Sequence, residues 1–304
     1  MEGWIALTRT STLSAGETRR VTLNNKHYVT WKDHKQRVQL APDACKHRGA
    51  SLSMGTVVST GIRSGCITCP YHGWVYSGKK IYKPWTEGSE SIQNDYDTRD
   101  QDGLLWIRPR GLEGPEPPEV PYQVPGFHTS WFETTIEQCA QLILENGIDP
   151  SHASWVHANG LGFGTSDEEP TNVVHTENRI EFDYVPNRNA LSSQLFGIST
   201  THNSHLYALP YTTWSDVTIN QDKILMTWVS LCPINETRTK MFVAFAQNFG
   251  VPSDLFVLMG KEIVEQDRRV LENQDSSYAF KGMAGKHDEL VVAYRAALHN
   301  LTFR

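Results

Sequence analysis

The chain has 304 residues, 39% of them hydrophobic and 20% charged, with a formal net charge of -6. That length can bury one large core or two ordinary ones, and the acidic balance argues against general nucleic-acid binding. No apolar run approaches the roughly 20 residues needed to cross a bilayer. The opening MEGWIALTRTSTLS lacks the charged and apolar regions of a secretion signal, so a cytoplasmic protein without a membrane span is expected.

Residues 1–110 carry short β-like runs broken by turn residues, among them VTLNN, HYVTW, RVQLAP and LLWIRP. No long helical period interrupts them, so an all-β domain built from hairpins is expected. A Pro- and Gly-rich stretch follows, RPRGLEGPEPPEVPYQVPG, which reads as a connector over 111–127. From residue 128 the pattern changes. An extended run near Trp131 to Ile136 leads into a helix at CAQLILENG, and ILMTWVSLCPI and MFVAFAQNF read as a hairpin joined by the polar NETRTK. The longest predicted helix is LFVLMGKEIVEQDRRVLENQ, residues 255–274, and a last one lies in DELVVAYRAAL, residues 288–298. Residues 128–304 are therefore expected to be α+β, with helices against an antiparallel sheet.

Three of the five cysteines, Cys45, Cys66 and Cys69, crowd into 25 residues, while Cys139 and Cys232 lie in apolar surroundings and read as ordinary buried thiols. The crowded set suggests a metal site rather than a disulfide framework. CKHRG at 45–49 and CPYHGW at 69–74 each offer one thiol and one imidazole. Zinc sites more often pair Cys with Cys and His with His. A mixed pair on each of two loops suits a two-iron, two-sulfide cluster, with both thiolates on one iron and both imidazoles on the other. Gly49 and Gly73 would let the loops approach such a cluster, and Pro70 would stiffen the second. By spacing alone Cys66 competes with Cys69.

In ENGIDPSHASWVH, residues 145–157, Asn146, Asp149, His152 and His157 fall close together. Five-residue spacing sets the two histidines about 140° apart on a regular helix, so both can face one ion only if the helix is distorted or ends between them. On the long helix Phe256, Met259, Ile263, Val270 and Leu271 form an apolar stripe with Asp267 in its middle. A carboxylate there needs a partner, either an arginine such as Arg268 or Arg269 or a metal. Glu262 and Glu265 read as solvated charges. His152, His157 and Asp267 together are the ligand set of a mononuclear non-haem iron(II) site with open positions.

C-x-H-R-G-A followed by C-P-Y-H-G-W resembles the Rieske iron–sulfur motif almost residue for residue. N-x-x-D-x-x-H-x-x-x-x-H, Q-D-R-R-V-L-E-N-Q and the closing helix resemble the catalytic domain of Rieske non-haem iron oxygenases, in particular its short-chain monooxygenase and demethylase members. The resemblance implies an α+β chain: an all-β Rieske domain over 1–110, then a helix-grip-like catalytic domain over 128–304. It implies a [2Fe-2S] cluster held by Cys45, His47, Cys69 and His72, and a mononuclear Fe(II) held by His152, His157 and Asp267. The gap from His47 to Cys69 is slightly long for the family, which points to a longer hairpin at 59–65. Asp149 matches an aspartate that bridges a cluster histidine, here His72, to an iron-ligating one, here His152, of a neighbouring chain in a head-to-tail trimer. Asn146 matches a residue near the iron.

The activity so implied is monooxygenation, by hydroxylation or oxidative N- or O-demethylation, of a polar heterocyclic or polycyclic small molecule with O2. NGLGFG at 159–164 lacks the preceding strand of a dinucleotide fingerprint and reads as a loop at the pocket mouth. Electrons must then come from a separate reductase or ferredoxin, which Lys79, Lys80 and Lys83 could meet. In THNSHLYAL, alternation sets Asn203, His205 and Tyr207 on one face and His202, Ser204 and Leu206 on the other. Asn203 and His205 are the candidates for hydrogen-bonding the substrate. The rival classes are a Rieske electron-transfer protein without oxygenase activity and a zinc-stabilised binding module.

Overall fold

The computed structural model describes residues 3–92, 95–121, 124–157, 169–185 and 191–302. It divides into two compact units, Met1–Pro117 and Pro118–Arg304. Between Gly111 and Phe127 the described residues form neither strand nor helix, as the proline content dictates.

The first unit is all-β. Its strands are β1 (Ile5–Arg9), β2 (Thr18–Leu23), β3 (Lys26–Lys32), β4 (Val38–Pro42), β5 (Thr56–Val57), β6 (Ile67–Thr68), β7 (Val75–Tyr76), β8 (Lys80–Tyr82), β9 (Glu90–Ser91), β10 (Tyr96–Gln101) and β11 (Leu104–Pro109). They form three antiparallel sheets, ordered β1-β11-β10, β2-β3-β4 and β5-β6-β7-β8-β9. Val29, Trp31, Leu52, Ile67, Tyr76 and Ile81 share one buried cluster with Cys45 and Cys69, so the two motif loops are rooted directly in a packed core. Residues 58–66 close the β5–β6 hairpin, held where Val58 donates to the Cys66 carbonyl at 2.7 Å and Gly65 to the Val58 carbonyl at 2.8 Å.

The second unit is built on a seven-stranded antiparallel sheet. Its elements are β12 (His128–Ile136), α1 (Ala140–Ile148), α2 (His152–Val156), β13 (Thr171–His175), β14 (Arg179–Tyr184), α3 (Leu191–Phe196), β15 (Thr201–Ala208), β16 (Thr212–Ile219), β17 (Lys223–Asn235), β18 (Arg238–Gln247), α4 (Ser253–Leu271) and α5 (Glu289–Thr302). The strand order is β12-β18-β17-β16-β15-β14-β13. The β17–β18 turn is tighter than the expected NETRTK, because Thr239 and Lys240 have partners that keep them in the strand. Thr239 donates its hydroxyl to the Gln138 carbonyl at 2.8 Å, and Lys240 pairs with Glu133 of β12 at 2.6 Å.

Helices α1 and α4 lie on the sheet face that carries Leu231, Val243 and Phe245. Gly260 makes the close approach of α4 possible: a Cβ there would sit 2.4 Å from a ring carbon of Phe245. The buried side of α4 is Phe256, Gly260, Val264 and Leu271. Val270, placed in the stripe by sequence, is 43% exposed, because it stands one position round from Leu271 on the solvent side. Arg295 of α5 grips the buried Glu145 of α1 through two bonds of 2.7 and 2.9 Å, and Gln141 donates to the same carboxylate at 2.8 Å. Among the described residues no helix is long and apolar enough to cross a membrane.

Candidate active site

The two motif loops of the first unit are built alike. Cys45 donates its amide to the Ala50 carbonyl and receives Gly49 on its own carbonyl, each at 2.8 Å. Cys69 likewise donates to Trp74 at 2.7 Å and receives Gly73 at 3.2 Å. Each turn closes only because its glycine takes a left-handed φ, +71° at Gly49 and +69° at Gly73, which a side chain would oppose. The loops bring Cys45 and Cys69 into contact in the interior. The His47 and His72 rings stand 4.5 Å apart, with His47 at the surface and His72 half-exposed.

Donors converge on both sulfurs. The Tyr76 hydroxyl accepts from the Lys46 amide at 2.8 Å, which leaves its own proton for Cys45 Sγ at 3.1 Å. The amides of Tyr71 and His72 face the Cys69 sulfur. Burial pushes the Cys69 thiol up, while those amides work the other way. Such donors stabilise bound thiolates, and outward imidazoles with inward thiols match the two edges of a mixed-ligand cluster. Trp74 stacks parallel to His47 at 5.1 Å and steadies the ring. Cys66 lies at the base of the 58–66 hairpin near Arg63 and Arg37, its thiol raised by burial. Of the other cysteines, Cys232 is buried, and burial drives its thiol up to about 12. Cys139 is only half-buried, at the N-terminal end of α1.

In the second unit helix α2 is a single short turn. It begins at His152 and stops at Val156, so His157 has left helical geometry at φ -101° and ψ 13°. That break lets two histidines five residues apart face one point. Their rings are 5.4 Å apart, and the ligand atoms of His152, His157 and Asp267 all lie within 4.8 Å of one another. Asp267 arrives from α4, and Arg268 is not its partner. Arg268 binds Glu265, Glu272 and the Thr135 carbonyl instead, so Glu265 is not a free surface charge.

The site's hydrogen bonds fix both tautomers. His152 Nδ1 donates to the Asp149 carbonyl at 2.7 Å, and His157 Nδ1 donates to Gln266 Oε1 at 2.9 Å. Both Nε2 atoms then face Asp267 Oδ1, at 3.8 and 3.3 Å, a buried oxygen with no hydrogen-bond partner among the described residues. Burial pushes the His157 imidazole down, but the Asp267 carboxylate outweighs it and holds the ring above its ordinary value. The two Nε2 atoms and the carboxylate oxygen converge on one point where a cation could sit, and two imidazoles with one carboxylate suit ferrous iron.

The three groups line a cavity of about 260 Å³ between α1, α4 and the sheet. Its wall is mostly apolar, with Phe182, Val217, Leu225, Met241 and Phe249 among the lining side chains. Asn146, Asn203 and His205 also line it. Burial, and next the nearby His152, lower the His205 imidazole to about 4, so the ring is uncharged. Asp149 meets His152 through its main-chain carbonyl, while its carboxylate accepts from the amide and hydroxyl of Ser151, both at 2.7 Å. Sequence reasoning missed Gln266, although it directly precedes Asp267, and missed Tyr76, which closes the CPYHGWVY run. The expected loop at 159–164 lies outside the described residues.

Residues 136–303 match the family model described as vanillate O-demethylase oxygenase C-terminal domain, and residues 3–88 match the Rieske [2Fe-2S] domain. The chain belongs to the Rieske oxygenases. Its two centres are accordingly a [2Fe-2S] cluster and a mononuclear iron. Cholesterol 7-desaturase nvd of Hemicentrotus pulcherrimus is 26% identical over 190 residues, 53% of this chain, and the match spans only 36% of that protein's length. Methylxanthine N1-demethylase NdmA of Pseudomonas putida is 26% identical over 275 residues, covering 84% of this chain and 74% of the relative. A solved structure of Pseudomonas putida CBB5 NdmA with caffeine superposes with a TM-score of 0.80 at 21% identity, over 99% of this chain and 91% of that one. The likeness in structure extends the shared fold to both units.

Proposed function

We propose that this protein is the terminal component of an oxygenase that monooxygenates a small heterocyclic or polycyclic molecule, by hydroxylation or oxidative demethylation. The observation that carries the reading is the cavity wall itself. His152, His157 and Asp267 leave three lone pairs converging beside an apolar chamber, a ligand set with positions open to O2 and substrate. Cys45, His47, Cys69 and His72 would hold the cluster. When bound, the cluster supplies single electrons and the iron an open position for dioxygen.

The chain's own groups then have separate tasks. Asp149 and Gln266 orient the two histidines through their Nδ1 protons. Phe182, Val217, Leu225 and Phe249 exclude water from the chamber and receive the apolar body of the substrate. Asn203 and His205 offer polar contacts on the sheet, and Asn146 on α1 lines the same wall.

Electrons would come from a separate reductase or ferredoxin, and the exposed Lys79 and Lys80 suit an acidic donor. Lys83 is engaged by Glu90 and lies over the Trp74 ring at 5.3 Å, so it serves the cluster loop first. A homotrimer in which one chain's His72 meets another's Asp149 agrees with the aromatic side chains left bare beside these two sites. They are Tyr71 on the cluster loop and Trp155, 78% exposed, on α2. The proposed compartment is the cytoplasm.

The test is iron, acid-labile sulfide and oxygen transfer on anaerobically purified protein. About three irons and two sulfides per chain, with one atom of labelled O2 entering the product, are expected. Two irons and two sulfides that ferrous iron cannot raise would leave an electron carrier. Zinc without sulfide would replace the cluster reading altogether.

A further inference from the structure

The cavity is long for its volume, and its two ends differ in chemistry. On the roof, α4 lines it from Phe256 to Asp267, about 16 Å along the helix at roughly 1.5 Å per residue. On the floor, β16 lines it from Thr213 to Ile219, about 20 Å at roughly 3.3 Å per residue. A volume of about 260 Å³ is below the usual span of roughly 300–1,000 Å³ for a ligand site, so a chamber of that length is narrow.

The candidate metal ligands sit toward one end. A Cβ on Gly147 would lie 3.1 Å from the Thr213 methyl, so the last turn of α1 rests on the first lining position of β16. Asp149 and His152 follow directly from that turn. Leu271, one turn beyond Asp267, is fixed at the same end, where its carbonyl takes the Gln138 amide at 2.7 Å just ahead of α1. The other end is apolar. Val217 and Ile219 pack with Ile198, and Leu225 and Phe249 lie against that cluster. The Phe249 ring meets Phe256 at 6.0 Å, which joins the cluster to the first lining residue of α4.

Register orders the floor between the two ends. His205, Ser215 and Thr227 stand opposite one another on β15, β16 and β17 and form a polar row close to the ligand end. The hydroxyls in it can donate or accept, so the row makes no demand on which of the two a bound molecule brings. Asn203, Val217 and Leu225 form the next row, about 7 Å nearer the apolar end. Lys223, opposite Ile219, stands in the last row, beside the β16–β17 turn.

We infer that the chamber takes an elongated amphipathic substrate lying along the strands. Its polar end crosses the row of His205, Ser215 and Thr227 beside the metal ligands, and its apolar end reaches Val217, Ile219 and Phe249, which set the length admitted. Oxidation then falls at or next to the polar end. A compact isomer of the same composition cannot touch the far cluster and the ligand end together, so it forfeits apolar contact at one of them. The inference rests on the oxygenase reading only in placing the substrate in this cavity.

Equilibrium binding of 4-n-alkylphenols, ethyl to octyl, to the metal-loaded protein without reductant or O2 tests it. Affinity is expected to rise about fourfold per methylene and to level off once the tail meets the far cluster. 4-Butylphenol should bind at least about tenfold tighter than its isomer 3,5-diethylphenol, which loses two methylenes of reach. Val217→Phe should bring the levelling point to a shorter tail, and Phe249→Ala should move it to a longer one. Circular dichroism and iron content verify that each variant is folded and loaded; if Val217→Phe is not, Phe249→Ala decides alone. With Mn(II) in place of iron, the ring protons of bound 4-butylphenol should relax faster than its terminal methyl protons. A flat series, a compact isomer that binds as well, a levelling point unmoved in the folded variants, faster relaxation at the methyl end, or no measurable binding would each overturn the inference. So would tighter binding of 4-(4-hydroxyphenyl)butanoate than of 4-butylphenol, which would make Lys223 the anchor of the far end. Because no turnover is measured, the expected pattern in a protein that never transfers oxygen would sink the oxygenase reading alone.

Discussion

The two candidate centres are assembled in opposite ways. In the first unit, two loops of near-identical hydrogen bonding each deliver a thiol inward and an imidazole outward, within thirty residues of sequence. In the second, the candidate ligands His152, His157 and Asp267 come from a short helix, the residue after it and a distant long helix. One site is a property of local turns, the other of a whole sheet and the helix laid on it. A local site should fail alone, and a distributed one should respond to changes far from any ligand.

Crossed substitutions make the sharpest break. Asp267→Asn is expected to abolish iron binding in the second unit, leaving two irons, two sulfides and an unaltered cluster spectrum. Cys69→Ser is expected to abolish the cluster and spare the other iron. Metal analysis with electron paramagnetic resonance reads both, and loss of both centres in either variant would contradict their independence. Next in size is Glu145→Ala, which leaves Arg295 with a half-buried unpaired charge and removes the tie between α1 and α5. A loss of about 3 kcal/mol in chemical denaturation is expected, with a cluster spectrum that persists into partly unfolded samples.

A finer probe is Gln266→Leu. It removes the acceptor that fixes the His157 tautomer, so iron affinity should fall roughly 10- to 100-fold in competition with a chelator. An unchanged affinity would reduce Gln266 to packing. Smallest of all, Cys66→Ser should leave iron and sulfide content as in wild type, since its thiol sits at the hairpin base and not with Cys45 and Cys69. A lost cluster would restore Cys66 as a ligand.

Legibility follows the same divide. CKHRG and CPYHGW could be read because their chemistry is contiguous, and the β-runs because alternation is local. The five-residue gap between His152 and His157 posed a geometric condition, and the end of α2 at Val156 meets it. Gln266 was not legible as a partner of His157, because the contact depends on how α4 is rotated against α2. The same rotation put Val270 on the wrong side of the stripe. Arg295 and Glu145, 150 positions apart, carried no sequence signal at all. The inward direction of Asn203 and His205 needed the helices to show which sheet face they cover.

The brevity of α2 has a mechanical side. A helix of five residues is far too short to hold itself together in water. His152 and the His157 that follows it nevertheless face Asp267, in the C-terminal half of a nineteen-residue helix. An ion seated there would act as a rivet between a weak corner and a strong beam, and its binding energy would be folding energy for that corner. Stripping the iron should loosen the backbone around residues 149–157 while α4 stays intact, and amide exchange along that stretch would register the rivet being drawn.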